Sequence, residues 1–571
     1  MLDLGYLSLI FVLEQTISRN NFDSRYCSIL QATMNLPTVT RSSLEGERFH
    51  VIVIGGGLNG VAVARASALA GKRTLLLEQN DFANGATSHC VRLLHEGLEH
   101  VLRGDISLAR EAARQQQKLL AEHTYLAHSK RLLVASNPAK QRPLKLRTNL
   151  WLYKQMAGSR SSSARETPEV KTLESALEAS GHSPLFHFQE AQCEFPERLA
   201  IEWLLDAVGA EAIVRNHSQV LAIDVRQNRA RGVLVRDKLT GAETRVEAAW
   251  IVNASGAWSE RVLQRSRIKL QRPFSKNIRR ACIVLPMTAG LPDVALQFED
   301  HNGGVLHMVP WHRQLLVAGP AHADSNDTAR TEPSHEECEQ ILHALRILLP
   351  GLDITFENIR MAFNAVSAEP CEARNAGNYS VRRHEDDGAA NLVSIIGGGP
   401  ASAEDAARSF LSLLEKDGKP ANVAESPLAN SLLDDWTVEI AEAARISHEN
   451  ANSIAEWHGP RSLPVAQLAK RDAKMRAPLC SHSEHIVAEA VDAFANEFAL
   501  TLADVLLRRV PVALGPCWSA ACSREAVARM RAVMGWTEQQ AASELEALET
   551  ERTAYLPRLS PAGIALPTAA D

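Results

Sequence analysis

Residues 50–78 read His50-Val-Ile-Val-Ile-Gly-Gly-Gly-Leu-Asn-Gly-Val-Ala-Val-Ala-Arg-Ala-Ser-Ala-Leu-Ala-Gly-Lys-Arg-Thr-Leu-Leu-Leu-Glu78. The run His50 to Ile54 is β-branched and apolar, as a buried strand requires. Gly55, Gly57 and Gly60 follow in the G-x-G-x-x-G spacing: the first permits a tight turn, the second lets a pyrophosphate approach the backbone, and the third packs helix against strand. Val61 to Ala70 has helix-forming composition that Gly71 ends, and Thr74 to Leu77 reads as the next strand. Glu78 lies 18 residues after Gly60 at the end of that strand, where an acid accepts hydrogen bonds from ribose hydroxyls. The stretch predicts a βαβ unit whose helix N-terminus faces the phosphates of a dinucleotide. By itself it leaves NAD and FAD equally open.

Two further groups of residues decide between them. Asp81 to Ser88 comes soon after the acid, with Thr87 and Ser88 as candidate cofactor-binding residues, and far downstream stand Asn253-Ala-Ser-Gly256 with Trp258, and Ile396-Gly397-Gly398-Gly399. Such returns to the first domain are similar to those of two-domain flavoproteins, where distant loops close over the flavin ring, so FAD is the expected cofactor.

Outward from this unit, 571 residues exceed one ordinary core and predict two or three domains. The hydrophobic share of 45%, the charged share of 22% and a net charge of -6 describe a globular protein without the basic surface that nucleic acid needs. Cys27, Cys90, Cys193, Cys282, Cys338, Cys371, Cys480, Cys517 and Cys522 form no C-x-x-C pair, which reads as reduced thiols and no metal site. The apolar run Leu4 to Leu13 lacks a positive flank and a cleavage site, and is too short to span a membrane. Residues 1–48 are expected to be a disordered extension, and 49–426 a discontinuous FAD-binding, Rossmann-like α/β domain with an interleaved antiparallel β substrate domain at about 270–390. Within the latter, strands are expected around Cys282 to Leu285, Val305 to Val309 and Gln314 to Ala318. Residues 427–556 read as an all-α C-terminal domain, with a tail at 557–571. A mobile loop is expected at Gly158 to Thr167.

The stretch Asp81 to Glu99, the pair Pro310-Trp311 after a strand, Ala503 to Arg509 and Met534-Gly-Trp536 together resemble the FAD-dependent, quinone-linked glycerol-3-phosphate dehydrogenase family over roughly residues 50–555. The resemblance implies oxidation of an alcohol by hydride transfer to FAD, with quinone as acceptor, at the inner face of the cytoplasmic membrane. A small-molecule substrate is the expected partner, a peripheral membrane contact follows from the resemblance, and a homodimer stays open.

The resemblance also marks departures. Arg92 stands where the family has Lys, and Glu99-His100 where it has Arg-Tyr; Cys282 replaces a His, Ser367 aligns near an Arg, and Gly399 aligns with a Lys. These five positions are expected to border the substrate. Because charge-assisted bonds to phosphate are strong, the losses predict weak use of glycerol 3-phosphate. Another polyol, hydroxy acid or amine, and a weakly catalytic flavin-binding protein, stay open as alternatives. For acid–base work the candidates are His95, which matches a family His beside the flavin, and His307, a departure on an apolar strand.

Overall fold

The computed structural model describes residues 41–94, 96–135, 148, 151, 168–179, 181, 185–287, 291, 293–323, 332–349, 351, 353–371, 379–414 and 433–555. The expected loop at 158–167 and most of the expected N-terminal extension lie outside them. Residues 41–48 are a correction to that extension. Arg41 donates to the carbonyl and side-chain oxygens of Asn216, both at 2.8 Å, so the segment is docked because its guanidinium finds acceptors on the domain surface.

The βαβ unit forms as its composition dictates. Strand β1 (Arg48–Ile54) leads into helix α1 (Leu58–Leu69) and strand β2 (Thr74–Leu77). β1 lies between β2 and Glu243–Asn253, pairing in parallel with both, with Ile54 opposite Leu77 and Asn253. Ile213–Arg215 extends the parallel sheet beyond β2, and Leu392–Gly397 extends it beyond Glu243–Asn253. Val51, Ile52 and Val53 are fully buried, which is why the strand reads as a continuous apolar run.

Helix α1 is buried along most of its length, and its small residues Ala62, Ala64, Ala66 and Ala68 let Pro196–Gly209 and Ala403–Leu414 pack closely against it. Arg65 ties the three helices together, bonding Asp206 and Glu404 at 3.0 Å each. Trp203 and Phe410 fill this layer. Truncating either to Ala costs about 3–5 kcal/mol by the usual cavity penalty.

The second sheet has nine strands in the order His322–Ala323, Ser275–Pro286, Gln314–Ala318, Val305–Trp311, Ala295–Glu299, Ala127–Ala135, Leu185–Cys193, Leu93–Leu94, with Met361–Pro370 paired to Ser275–Pro286. The strands expected within residues 281–318 are all present. Three more come from outside 270–390, because long-range pairing leaves no local sign. One face carries Ile283, Leu315 and Val317 against helix His335–Leu348. The other carries Val284, Val309 and Leu316 against the helical C-terminal region, including Leu479, Val487 and Leu506.

Helices Leu433–Ala444, His448–His458, Ser462–Arg471, Val487–Asn496, Ala520–Met534 and Glu538–Thr553 make up most of that region. Gly535 ends the fifth in the left-handed conformation, φ 68°. Buried ion pairs join the region to the first. Arg198 bonds Glu497 at 2.6 Å and Glu202, and Arg461 bonds Glu202 at 2.7 Å. Burial alone would raise the Glu202 carboxyl, but Arg198 and Arg461 outweigh it and hold it at about 2. Burial of Glu489 is likewise outweighed by His485 and His458, again to about 2.

Depressed carboxylate pKa values stabilise above the unfolded value and lose that contribution as pH falls through the folded one. Each group is therefore expected to remove up to about 3 kcal/mol between about pH 4.5 and pH 2. Urea midpoints measured down this range should fall steeply, and a flat midpoint between about pH 5 and 3 contradicts the assignment.

Candidate active site

The C-terminal ends of β1 and β2 open into a cleft whose walls come mainly from five stretches of chain brought together only by the fold, 54–59, 77–94, 254–265, 365–368 and 397–400, with single residues such as Arg280 added from other strands. Gly55 has φ 107° and a Cβ there would lie 2.6 Å from the Ala254 carbonyl oxygen, while a Cβ at Gly60 would lie 1.8 Å from that of Gly55. Both glycines are required by contact. At Gly57 a Cβ would meet nothing closer than Thr87 Oγ1 at 3.2 Å, so the protein leaves that side open. Gly57 is also the N-cap of α1, with no side chain to satisfy the first-turn amides and no acid in that turn. An anion at this end meets backbone donors and the positive end of the helix dipole.

Glu78 is anchored by the Gly56 amide on Oε2 at 2.7 Å and the Asn80 amide on Oε1 at 2.9 Å. Burial pushes its pKa up, against the pull of these amides. Thr87 Oγ1 accepts from the Leu58 amide at 3.2 Å, bracing the loop after Glu78 against the helix start. Ser88 spends its hydroxyl on the Ala83 carbonyl at 2.6 Å and does not border the cleft, so its part is to shape that loop. Gly256, Gly397 and Gly398 border the cleft with φ 57°, 76° and 79°. The Gly397 carbonyl accepts from Asn59 at 2.7 Å, whose own Oδ1 is buried without a protein partner and faces this junction.

Arg92 borders the cleft, yet its charge is already engaged. Its guanidinium makes two parallel bonds to Glu197, at 2.8 and 3.0 Å, donates to the carbonyls of Glu194 and Ser88 at 2.6 and 2.8 Å, and lies 4.3 Å above the Trp311 ring. Burial opposes the charge, but Glu197 more than compensates and raises the pKa. Swinging this side chain onto a substrate would strand a buried carboxylate, a loss of several kcal/mol. Ser367 and Gly399 do border the cleft.

Two expected residues, Cys282 and His307, are placed otherwise. Cys282 is fully buried in the core between the second sheet and the C-terminal helices, its Sγ 3.9 Å from the Arg280 carbonyl, and burial pushes its pKa up to about 12. It shares a face with the cleft wall but does not reach it. His307 is 1% exposed inside Val305–Trp311, opposite Gln297 and Ala318, and also lies outside the cleft. Both side chains lie on strands of the second sheet at positions that do not border the cleft. His95 and the side chain of Glu99 lie outside the described residues.

The sequence reading missed His89 and Arg280, both on the cleft wall. His89 stacks on Tyr555 with centroids 5.1 Å apart, and burial lowers its pKa to about 4, so it is neutral at physiological pH. Arg280 reaches the cleft from the Ser275–Pro286 strand, two residues before Cys282 and on the same face. Period-2 alternation from Cys282 could have found it.

This architecture, a parallel dinucleotide sheet with an antiparallel partner sheet and one cleft between distant loops, defines a flavoprotein oxidoreductase. The chain belongs to the FAD dependent oxidoreductase family, whose model matches residues 50–399, and residues 427–541 match the C-terminal domain of alpha-glycerophosphate oxidase. It is 25% identical to a glycerol-3-phosphate dehydrogenase of Synechocystis over 82% of this chain and 90% of that one. With the glycerol-3-phosphate dehydrogenase of Mycobacterium leprae it shares 26% identity over 86% of each chain. Its fold matches the glycerol-3-phosphate dehydrogenase of Bacillus halodurans, solved with FAD, at a TM-score of 0.72 and 18% identity, over 91% of this chain and 97% of the other. The cofactor is FAD, and the open side of Gly57, the uncapped helix end and the bipartite Glu78 anchor fit its pyrophosphate and ribose.

Proposed function

We propose that this FAD-dependent oxidoreductase oxidises a secondary alcohol of low anionic charge, a polyol or hydroxy acid, and passes the electrons to a quinone. The observation that carries the substrate reading is the closed pairing of Arg92 with Glu197, which removes one guanidinium from phosphate binding. FAD held by the Gly55–Gly60 loop and Glu78 would supply the hydride acceptor. The residues of the chain position the cofactor and wall off the cleft, while His89, held neutral, offers at most a hydrogen bond near Gly85. His95 is proposed as the group that takes the carbinol proton, on its match to the family position.

A second reading is glycerol 3-phosphate itself, favoured by Arg280 on the Ser367 side of the cleft. At an effective dielectric near 20, one charge about 4 Å away is worth roughly 4 kcal/mol, so a single well-placed arginine decides the matter. Anaerobic stopped-flow bleaching of the flavin across alcohols, hydroxy acids, amines and sugar phosphates separates the two. Glycerol 3-phosphate is expected to bleach slowly, a less charged alcohol faster, and Glu99→Arg with Gly399→Lys to raise phosphate-ester turnover. Rapid bleaching at micromolar glycerol 3-phosphate overturns the first reading. An enzyme that no alcohol reduces would turn attention to amines or to a flavin-binding role.

The quinone, a peripheral place on the inner face of the cytoplasmic membrane, and a homodimer rest on resemblance and stay proposals. No helix among the described residues is long and apolar enough to cross a membrane.

A further inference from the structure

Outside the first cleft, the helical C-terminal region gathers sulfur and imidazole from two separate stretches. Cys480 and His482 sit on a tight turn closed by the Ser483 amide on the Cys480 carbonyl at 3.1 Å and the Leu479 amide on the His485 carbonyl at 2.8 Å. Cys522 lies in the first turn of helix Ala520–Met534, whose N-cap is Ser519. The donor atoms of Cys480, His482 and Cys522 all fall within 4.8 Å of one another, with Cys522 Sγ 3.8 Å from His482 Nδ1. Cys522 Sγ also donates to the Cys517 carbonyl at 3.5 Å, which brings Cys517 to the same rim with its thiol exposed.

We propose that Cys480, His482, Cys517 and Cys522 bind one structural Zn²⁺. Tetrahedral zinc with Zn–S near 2.3 Å and Zn–N near 2.0–2.1 Å separates its ligand atoms by roughly 3.5–3.8 Å. The three gathered donors are therefore within about 1 Å of that geometry, and rotation of the Cys517 side chain supplies the fourth ligand. Cys480 and Cys522 are buried while His482 is exposed, so the ion sits at a surface rim with an entry path. Binding releases the thiol protons to solvent, and no redox change is involved. Ser519 Oγ donates to Cys522 Sγ at 3.5 Å, and Cys522 stands in the first turn of its helix, where the helix N-terminus favours a thiolate. Elsewhere, the buried Cys193 and Cys338 lie within apolar clusters.

The spacing Cys480-x-His482 with Cys517-x-x-x-x-Cys522 matches no common zinc pattern, so only the fold discloses the set. Its place suggests what the ion holds. The two stretches it joins also touch the second sheet, through Glu484 to Arg313 at 3.5 Å, the Leu514 carbonyl to Gln314 at 2.9 Å, and the Pro516 carbonyl to Arg360. Zinc would pin the helical region where it covers the substrate sheet.

The test uses the full-length, flavin-loaded protein purified under reductant from zinc-supplied cells. Mass spectrometry of the metal should give one zinc per chain, dipicolinate should remove it and lower Tm, and added zinc should restore Tm. Cobalt in its place should show a thiolate charge-transfer band. Cys480→Ser and Cys522→Ser should each weaken that band by about a third or more, and Cys371→Ser should leave it unchanged. His482→Ala changes an exposed side chain, so it should fold with full flavin yet bind zinc more than about 100-fold more weakly, since even outer-shell partners are worth about 10–100-fold. A protein that takes up neither zinc nor cobalt at equivalence overturns the proposal. So does a thiolate band of unchanged intensity and position in Cys522→Ser, or a Cys517–Cys522 disulfide in the reduced preparation.

Discussion

Gly57→Leu is expected to purify as a folded, colourless protein. The residue has φ -78°, so a side chain costs no backbone strain, and its Cβ would meet only Thr87 Oγ1 at 3.2 Å. The fold therefore tolerates the change with a small shift of that hydroxyl. The leucine branches then stand where backbone amides and the helix dipole would meet the pyrophosphate. Losing close approach to a doubly charged group should weaken FAD binding by at least about 1000-fold, or roughly 4 kcal/mol. The checks are flavin absorbance and circular dichroism together. Normal flavin content in the variant would show that the loop does not bind the pyrophosphate. Gly60→Ala makes a useful contrast, because its Cβ would lie 1.8 Å from the Gly55 carbonyl oxygen and should damage the fold itself.

Asp81→Ala should cost about 3–5 kcal/mol of stability, the usual penalty for orphaning buried charge. Asp81 is 1% exposed and accepts from Arg508 Nε at 2.5 Å and from Arg509 at 2.7 and 2.8 Å, with Asn216 at 3.1 Å. Without it, Arg508 keeps Asp504 at 2.9 Å and Glu551, whereas Arg509 keeps the Glu497 carbonyl, which carries no charge. Because Asp81 opens the loop that follows Glu78, the variant should also release flavin faster. Urea denaturation and flavin-release kinetics would measure the two effects. A loss below about 1 kcal/mol would mean that water or neighbouring acids readily replace the carboxylate.

The contrast between these two sites shows what a sequence discloses. Gly55, Gly57, Gly60 and Glu78 are legible because strand, turn and helix impose local spacing, and the structure places β2 at Thr74–Leu77 as read. The pairing of Asp81 with Arg508 and Arg509 spans more than 400 residues and leaves no pattern in either stretch. Arg92 was legible as a cleft residue, but not its neutralisation by Glu197, since a charge at one position says nothing of its partner. Cys282 was expected at the substrate from its match to a family His, and His307 as a departure on an apolar strand; both lie outside the cleft, and period-2 alternation along such a strand fixes a side and not a depth. Arg280, two residues before Cys282, is where that face reaches the cleft.

The order of strands in the first sheet sets a schedule for the protein's synthesis. β1 is complete at Ile54, but it is flanked in the finished sheet by β2 and by Glu243–Asn253, and Leu392–Gly397 closes the parallel array. About 340 residues must emerge between Ile54 and Gly397, roughly 20–70 s at about 5–20 residues per second. Until Asn253 has emerged, the buried apolar strand β1 has one open edge, which is a template for pairing with another chain. The complete flavin site cannot exist until Gly397, Gly398 and Gly399 leave the ribosome, so the cofactor can be fully enclosed only after residue 399 has been made.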